Sequence, residues 1–158
     1  MGMILESPGV DMNTAMKSVT MIAAGVAALA VSYSAFAQGA GAAASAGVYT
    51  DAQAGRGKAI YDAQCAACHG GTLAGADMSP PLAGGTFLAN WSNQPLSELA
   101  NRIRTTMPMD NPGTLSTAQT ADVVAFILKS NGFKAGTTEL PRNAQMMQQI
   151  KLDTPTGG

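Results

Sequence analysis

The chain has 158 residues, 12% of them charged, with a formal net charge of −1. That length suits one domain plus a processing segment. Near-neutral charge without a basic run argues against a nucleic-acid partner, because holding a phosphate backbone needs clustered Lys and Arg.

The first segment reads as an export signal. From Met16 the sequence is MKSVTMIAAGVAALAVSYSAFA. Lys17 supplies a positive start, Val19 to Val31 an apolar stretch, and Ala35-Phe36-Ala37 a small-residue cleavage site before Gln38. Residues 1–37 are therefore expected to be a signal peptide. Glu6 and Asp11 serve no signal peptide, so residues 1–15 fit a misassigned start ahead of Met16. The competing reading is an uncleaved anchor, but the apolar stretch is short against the ~20 residues a spanning helix needs. Export predicts a periplasmic location. Membrane association would then come only through a partner or an uncleaved signal.

Residues 38–49, QGAGAAASAGVY, have the composition of a flexible leader. Thr50 opens a helix through about Gln64, with Thr50 and Gln53 as a capping box and Asp51 in the first turn. Gly57, Ile60, Tyr61 and Gln64 share a stripe. Residues 70–90, rich in Gly and with Pro80-Pro81, read as loop. A second helix is expected over 95–104, with Pro95 first and Leu96, Leu99, Ala100 and Ile103 on one face. Met107-Pro108 stops it. A third helix starts at Ser116, again with a capping box to Gln119. It carries Ala121, Val124, Ile127 and Leu128 inward and ends at Gly132. Residues 133–158 read as a tail with one short helix around 144–150. No strand is expected. The fold class is all-α, small and loop-rich, with the domain proper at 50–132. Such a chain buries little apolar surface, and small domains of this kind need a staple.

The staple has one candidate place. CAACHG, residues 65–70, holds both cysteines and the only histidine. C-x-x-C-H is the attachment signature of c-type haem. Two intervening residues let Cys65 and Cys68 reach both porphyrin vinyl groups as thioethers from one turn of backbone, and His69 then presents its imidazole to the iron. A thioredoxin-like site needs a preceding strand and a helix N-terminus. A structural zinc site needs four ligands. A disulfide this short closes too small a loop to stabilise much.

With one histidine, the iron's other face falls to a methionine, a lysine, water or nothing. After cleavage the methionines are Met78, Met107, Met109, Met146 and Met147. Met107 precedes Pro108, which pushes it to extended backbone on a stiff loop, and the Pro112-Gly113 turn fixes that loop further. Met107 is the expected second ligand. Simple core filling is the alternative for any methionine.

Together these residues resemble a class I c-type cytochrome over about residues 50–132. The likeness rests on CAACHG, the Pro-Leu-x-Gly loop SPPLAGGTF, Trp91, the Met-Pro loop MPMDNPGTLS and the last helix ADVVAFILKSNGF. With YTDAQAGRGKAIYDAQ before the motif, the wording is similar to cytochrome domains that serve pyrroloquinoline-quinone-dependent alcohol dehydrogenases. The quinoprotein catalytic domain is not in this chain. The resemblance implies a three-helix fold with long loops around one covalent haem c. It implies His69 and Met107 as axial ligands and the Pro80 carbonyl as acceptor of the other His69 ring N–H. Leu82 would wall the pocket. Trp91 would donate its indole N–H to a haem propionate, or sit as a partly buried core aromatic. Arg102 and Arg104 could neutralise propionates or be merely solvated. Gly57 and Tyr61 would meet Phe126 where first and last helices cross.

The implied role is a single-electron carrier, not an enzyme. Its partners would be a periplasmic dehydrogenase, such as a pyrroloquinoline-quinone enzyme, and a terminal oxidase or another cytochrome. Without Lys17, Glu6 and Asp11 the chain carries eight cationic and eight anionic side chains. Docking is therefore expected through a small apolar patch with weak salt dependence. Two alternatives are a subunit held in a dehydrogenase complex through the 133–158 tail, and a five-coordinate haem that binds a gas.

Overall fold

The structure, a computed structural model, describes residues 41–76 and 79–155. The signal-peptide reading of 1–37, the start of the leader and the Met78 candidate lie outside these residues. In chain order the elements are β1 (Ala42–Ala43), a 3-10 turn (Ala44–Ala46), α1 (Asp51–Gln64), α2 (Ala66–His69), α3 (Gly85–Trp91), α4 (Leu96–Thr106), α5 (Thr117–Ser130), α6 (Ala144–Met147) and β2 (Ile150–Lys151). The fold is all-α in substance, as expected. Among the described residues, no helix is long and apolar enough to cross a membrane.

The helix frame follows from the sequence. Ser116 caps α5, its hydroxyl accepting from Gln119 N while the Gln119 side chain accepts from Ser116 N. Ala121, Val124, Ile127 and Leu128 are all buried. Gly132 follows with φ +83°, in the left-handed region that ends many helices. In α4, Leu96, Leu99 and Ile103 face the core. Pro95 stands one residue earlier than expected, at the N-cap.

α1 and α5 make the most extensive helix pairing among the described residues. Gly57 permits it: a Cβ there would lie 1.8 Å from the Asp122 carbonyl oxygen. Beside it Tyr61 and Phe126 pack with ring centroids 5.2 Å apart, a tilted arrangement aromatic pairs favour. Arg56 joins the same two helices through a fork onto the Asp122 carboxylate, at 3.0 and 3.1 Å.

The sequence expectations need correction in three regions. Residues 41–49 do not behave as a flexible leader. β1 pairs in parallel with β2, Ala42 opposite Ile150 and Ala43 opposite Lys151. Ala44 and Tyr49 are buried, Ser45 hydrogen-bonds the Asp153 carboxylate through its backbone N–H and hydroxyl, and the Tyr49 hydroxyl donates to the Phe133 carbonyl. Low-complexity composition concealed a partner more than a hundred residues away. This pairing also supplies the short strands that the sequence did not suggest.

The 133–155 segment is likewise part of the domain, with Phe133, Leu140, Met147, Ile150 and Leu152 buried. Its short helix α6 forms where expected, capped by Asn143. Gln53, expected to complete a capping box on Thr50, instead turns inward to this segment. Its amide donates to Leu140 O at 3.1 Å and accepts from Leu140 N at 2.7 Å. Only the Thr50 half of that box forms.

Finally, residues 85–90 of the expected loop form α3 together with Trp91. Gly84, at φ +86°, starts it, and buried Phe87 pins it to the core. Two of the glycines that argued for loop, Gly84 and Gly85, form its N-terminal cap and first residue.

Candidate functional site

The C-x-x-C-H stretch is a single helical turn. Cys65 closes α1, its N–H donating to Tyr61 O at 2.9 Å, and opens α2. The Cys65 carbonyl then accepts from Cys68 N at 3.2 Å and His69 N at 2.9 Å. This one turn holds both sulfurs and the imidazole in fixed register. Both cysteines are free; Cys68 is exposed and Cys65 half-buried. Burial pushes the Cys65 thiol up, and the neighbouring Cys68 adds to it.

His69 is only 8% exposed. Its Nδ1 lies 3.0 Å from the Pro80 carbonyl oxygen. A carbonyl can only accept, so the proton is on Nδ1 and the lone pair on Nε2. Nε2 has no hydrogen-bond partner among the described residues. This is the tautomer a metal-binding imidazole requires, held by the backbone acceptor that the family resemblance implied.

One backbone feature sets that acceptor in place, and a side chain braces the turn from the other side. Gly75, at φ +77°, donates to His69 O at 2.9 Å. A Cβ on Gly75 would stand 2.5 Å from Ser79 O and 2.8 Å from Pro81 N. The proline loop therefore lies directly on this glycine. On the α1 side, the Tyr61 hydroxyl donates to Gly70 O at 2.6 Å. With Tyr61 fully buried, its phenol is pushed up to about 12, by burial first and then by Cys65 and Asp62.

The remaining expected residues border one core. Cys65, Leu82, Trp91 and Met107 are all half-buried and pack against the same hydrophobic cluster. Leu82 N donates to Leu73 O at 2.8 Å, tying the proline loop to the turn after His69. Trp91 ends α3 with its ring 6.3 Å from Phe87, and its indole N–H makes no hydrogen bond among the described residues. Met107 ends α4 at φ −125°, ψ 151°, the extended conformation its proline demands, and the Met107-Pro108 peptide is cis. Met109 is 78% exposed and Met146 60%, whereas Met147 is 2% exposed inside the core. Arg102 and Arg104 are exposed on α4 and make no ion pair among the described residues.

Sequence reasoning missed three residues at this site. The Tyr61 hydroxyl was legible in principle, since a tyrosine at a buried crossing needs a partner for its O–H. Gly75 was one glycine among many and carried no local signal. Asn131 drew no notice beside Gly132, the expected helix end, yet its side chain reaches Leu82 and Gly84.

The residues fit a covalent haem. Two free thiols stand on one turn with an imidazole whose Nε2 has no partner among the described residues, and half-buried Leu82, Trp91 and Met107 pack against the same core as Cys65. Among the described residues, no three His, Cys, Asp or Glu side chains gather as a bare metal ion would require.

Comparison with known proteins agrees over the same region. The family described as cytochrome c oxidase, cbb3-type, subunit III matches residues 52–127, from α1 through most of α5. No curated protein matches the chain significantly. Among solved structures it is similar to a chain of the sulfane dehydrogenase SoxCD from Paracoccus pantotrophus, at 28% identity and a TM-score of 0.48. That likeness covers 63% of this chain and 52% of the other, so the chain spans about half the length of that relative. Over residues 52–127 the chain is therefore similar to that family of haem-binding cytochrome c domains, and the C-x-x-C-H turn lies inside the matched stretch.

Proposed function

We propose that this protein is a periplasmic single-electron carrier whose haem is held by Cys65 and Cys68 and ligated by His69 and Met107. The observation that carries the reading is the His69–Pro80 hydrogen bond, which fixes the metal-binding tautomer. When bound, haem c supplies a one-electron iron couple. The protein's own residues do the rest. His69 and Met107 would hold the iron between them, so that no place would be left for a substrate. Thioether ligation favours the ferrous state and raises the potential. Leu82 and Trp91 border the site, and exposed Ala67 and Cys68 present a small, uncharged surface at the attachment turn.

Met107 is preferred because Pro108 holds it extended at the half-buried rim, whereas Met109 is exposed. The electron donor fits a periplasmic dehydrogenase, including the quinoprotein alcohol dehydrogenases that the sequence wording suggests. The acceptor fits a terminal oxidase or a second cytochrome. A carrier held in a complex by its 133–158 tail has less support, because the apolar side chains of 133–155 are packed into its own core.

The test is a spectrum and an intact mass of protein from a periplasmic fraction. The mass should equal the polypeptide from Gln38 plus one haem. The ferric protein should show the weak red band of sulfur–iron ligation. Met107→Ala should abolish that band and Met109→Ala should spare it. Loss of the band in the Met109 variant alone would overturn the ligand assignment, and a colourless protein would overturn the whole reading.

A further inference from the structure

We propose that Asn131 is a positioning residue for His69, acting through the loop that carries the Pro80 carbonyl; this rests on His69 being the iron's nitrogen ligand. Asn131 is 8% exposed, one residue beyond α5. Its Nδ2 donates to Ile127 O at 2.8 Å and to Leu82 O at 3.0 Å, and its Oδ1 accepts from Gly84 N at 3.0 Å. Both amide hydrogens and the oxygen are engaged. The bond to Ile127 locks the side chain to its own helix, and the other two grip the loop on either side of Ala83.

The grip matters because Pro80 and Pro81 have no backbone N–H. The loop around them must be anchored by its neighbours. On one side Ser79 and Ala76 exchange backbone bonds of 2.7 and 3.2 Å. On the other the first residue with an amide is Leu82, whose N–H goes to Leu73 and whose carbonyl goes to Asn131. Asn131 thus supplies one of the few bonds that fix where the Pro80 oxygen stands. That oxygen polarises the Nδ1–H of His69 and makes the imidazole a stronger donor. Loosening it should weaken donation to the iron and favour the ferrous state.

The test uses the haem-loaded full chain. Asn131→Ala should keep its haem by intact mass. It should raise the midpoint potential and speed exchange of the His69 Nδ1 proton at least tenfold, as read by NMR of the ferrous protein. Ser130→Ala, which removes a hydroxyl bonded only to Phe126 O of its own helix, should change neither. In the unaltered protein, the amide protons of Leu82 and Gly84 should exchange at the same rate as the Nδ1 proton, as one opening unit. This readout holds even if Asn131→Ala fails to fold. An Asn131→Ala protein of lower stability with unchanged potential and exchange makes Asn131 an ordinary helix cap and overturns the proposal. Fast exchange at Leu82 and Gly84 beside a protected Nδ1 proton overturns it too. Unaltered protein without haem refutes the electron-carrier reading and this proposal together.

Discussion

The carbonyl oxygen of Pro80 sits 3.0 Å from Nδ1 of His69, eleven residues back along the chain. Neither residue could be placed there by its own local structure. His69 is delivered by the last turn of a helix and Pro80 by a loop without donors of its own. The bond exists because Gly75 lets the loop settle onto the turn after the histidine.

Gly75→Ala should therefore be costly where its neighbour Gly71→Ala is not. An alanine in the left-handed region costs about 1–2 kcal/mol from backbone sterics alone. Its Cβ would also press on Ser79 O, 2.5 Å away, whereas nothing lies within 4 Å of a Cβ on Gly71. Thermal unfolding of the haem-loaded protein should fall by about 4–8 °C or more for Gly75→Ala. The Gly71 variant should match the parent. Equal midpoints for all three would show that the loop does not rest on Gly75.

The two glycines of α1 make an opposed pair. Gly55 is exposed with open space around it, so Gly55→Ala should stabilise the helix by about 0.5–1 kcal/mol. Gly57→Ala makes the same gain in helix propensity but drives its Cβ to within 1.8 Å of backbone at Asp122. Backbone on a packed helix cannot step aside as a flexible side chain can. The net loss should be about 3 kcal/mol, at the upper end of the overpacking range. Urea denaturation of both variants reads the contrast. A stabilised Gly57→Ala would mean the α1–α5 crossing is looser than described.

The segment after α5 gives a third prediction. Gln53 satisfies both the N–H and the carbonyl of Leu140, and all of these groups are buried. Gln53→Ala leaves two backbone groups unpaired, at about 1–3 kcal/mol each. Removing residues 140–158 goes further, uncovering the apolar sites of Leu140, Met147, Ile150 and Leu152. Such a truncated chain should unfold or aggregate, not merely lose a partner. Size-exclusion and far-UV circular dichroism distinguish these outcomes. A folded, monomeric truncated protein would restore the idea of a detachable docking arm.

What the sequence disclosed and what it hid divide along contact range. The α5 helix was legible from its Ser116–Gln119 box and its apolar spacing, because both are local rules. The attachment turn was legible because covalent chemistry fixes the spacing of Cys65, Cys68 and His69. The order in residues 41–49 was not, since Ser45 finds Asp153 108 residues later. Gln53 had a local use as a capping residue and a distant one at Leu140, and the distant one prevailed because it relieves buried backbone. Asn131 has the same character: its helix-end position is local, but two of its side-chain bonds reach almost fifty residues back. The Pro80 acceptor came from family likeness, not from spacing, and no local rule would have supplied it.

Tyr61 carries the last prediction, in alkali. Its phenol is fully buried, donates to Gly70 O, and is pushed up to about 12 chiefly by burial. In the unfolded chain it ionises near its ordinary value of 10.0. A folded value above the unfolded one means the contribution is complete below pH 10 and is lost as pH climbs toward 12. Across that window the unfolded state releases the proton first, so stability should drop by about 1.4 kcal/mol per pH unit from this group. Tyr49, buried with its hydroxyl on the Phe133 carbonyl, is shifted the same way and steepens the fall. Tyr61→Phe deletes one titrating group and one hydrogen bond. It should be about 1 kcal/mol less stable at pH 8 yet lose stability more slowly between pH 10 and 12. Urea midpoints taken across that range should converge for the two proteins as pH rises. Parallel lines would mean that Tyr61 is already ionising normally in the folded protein and that its hydroxyl does not hold Gly70.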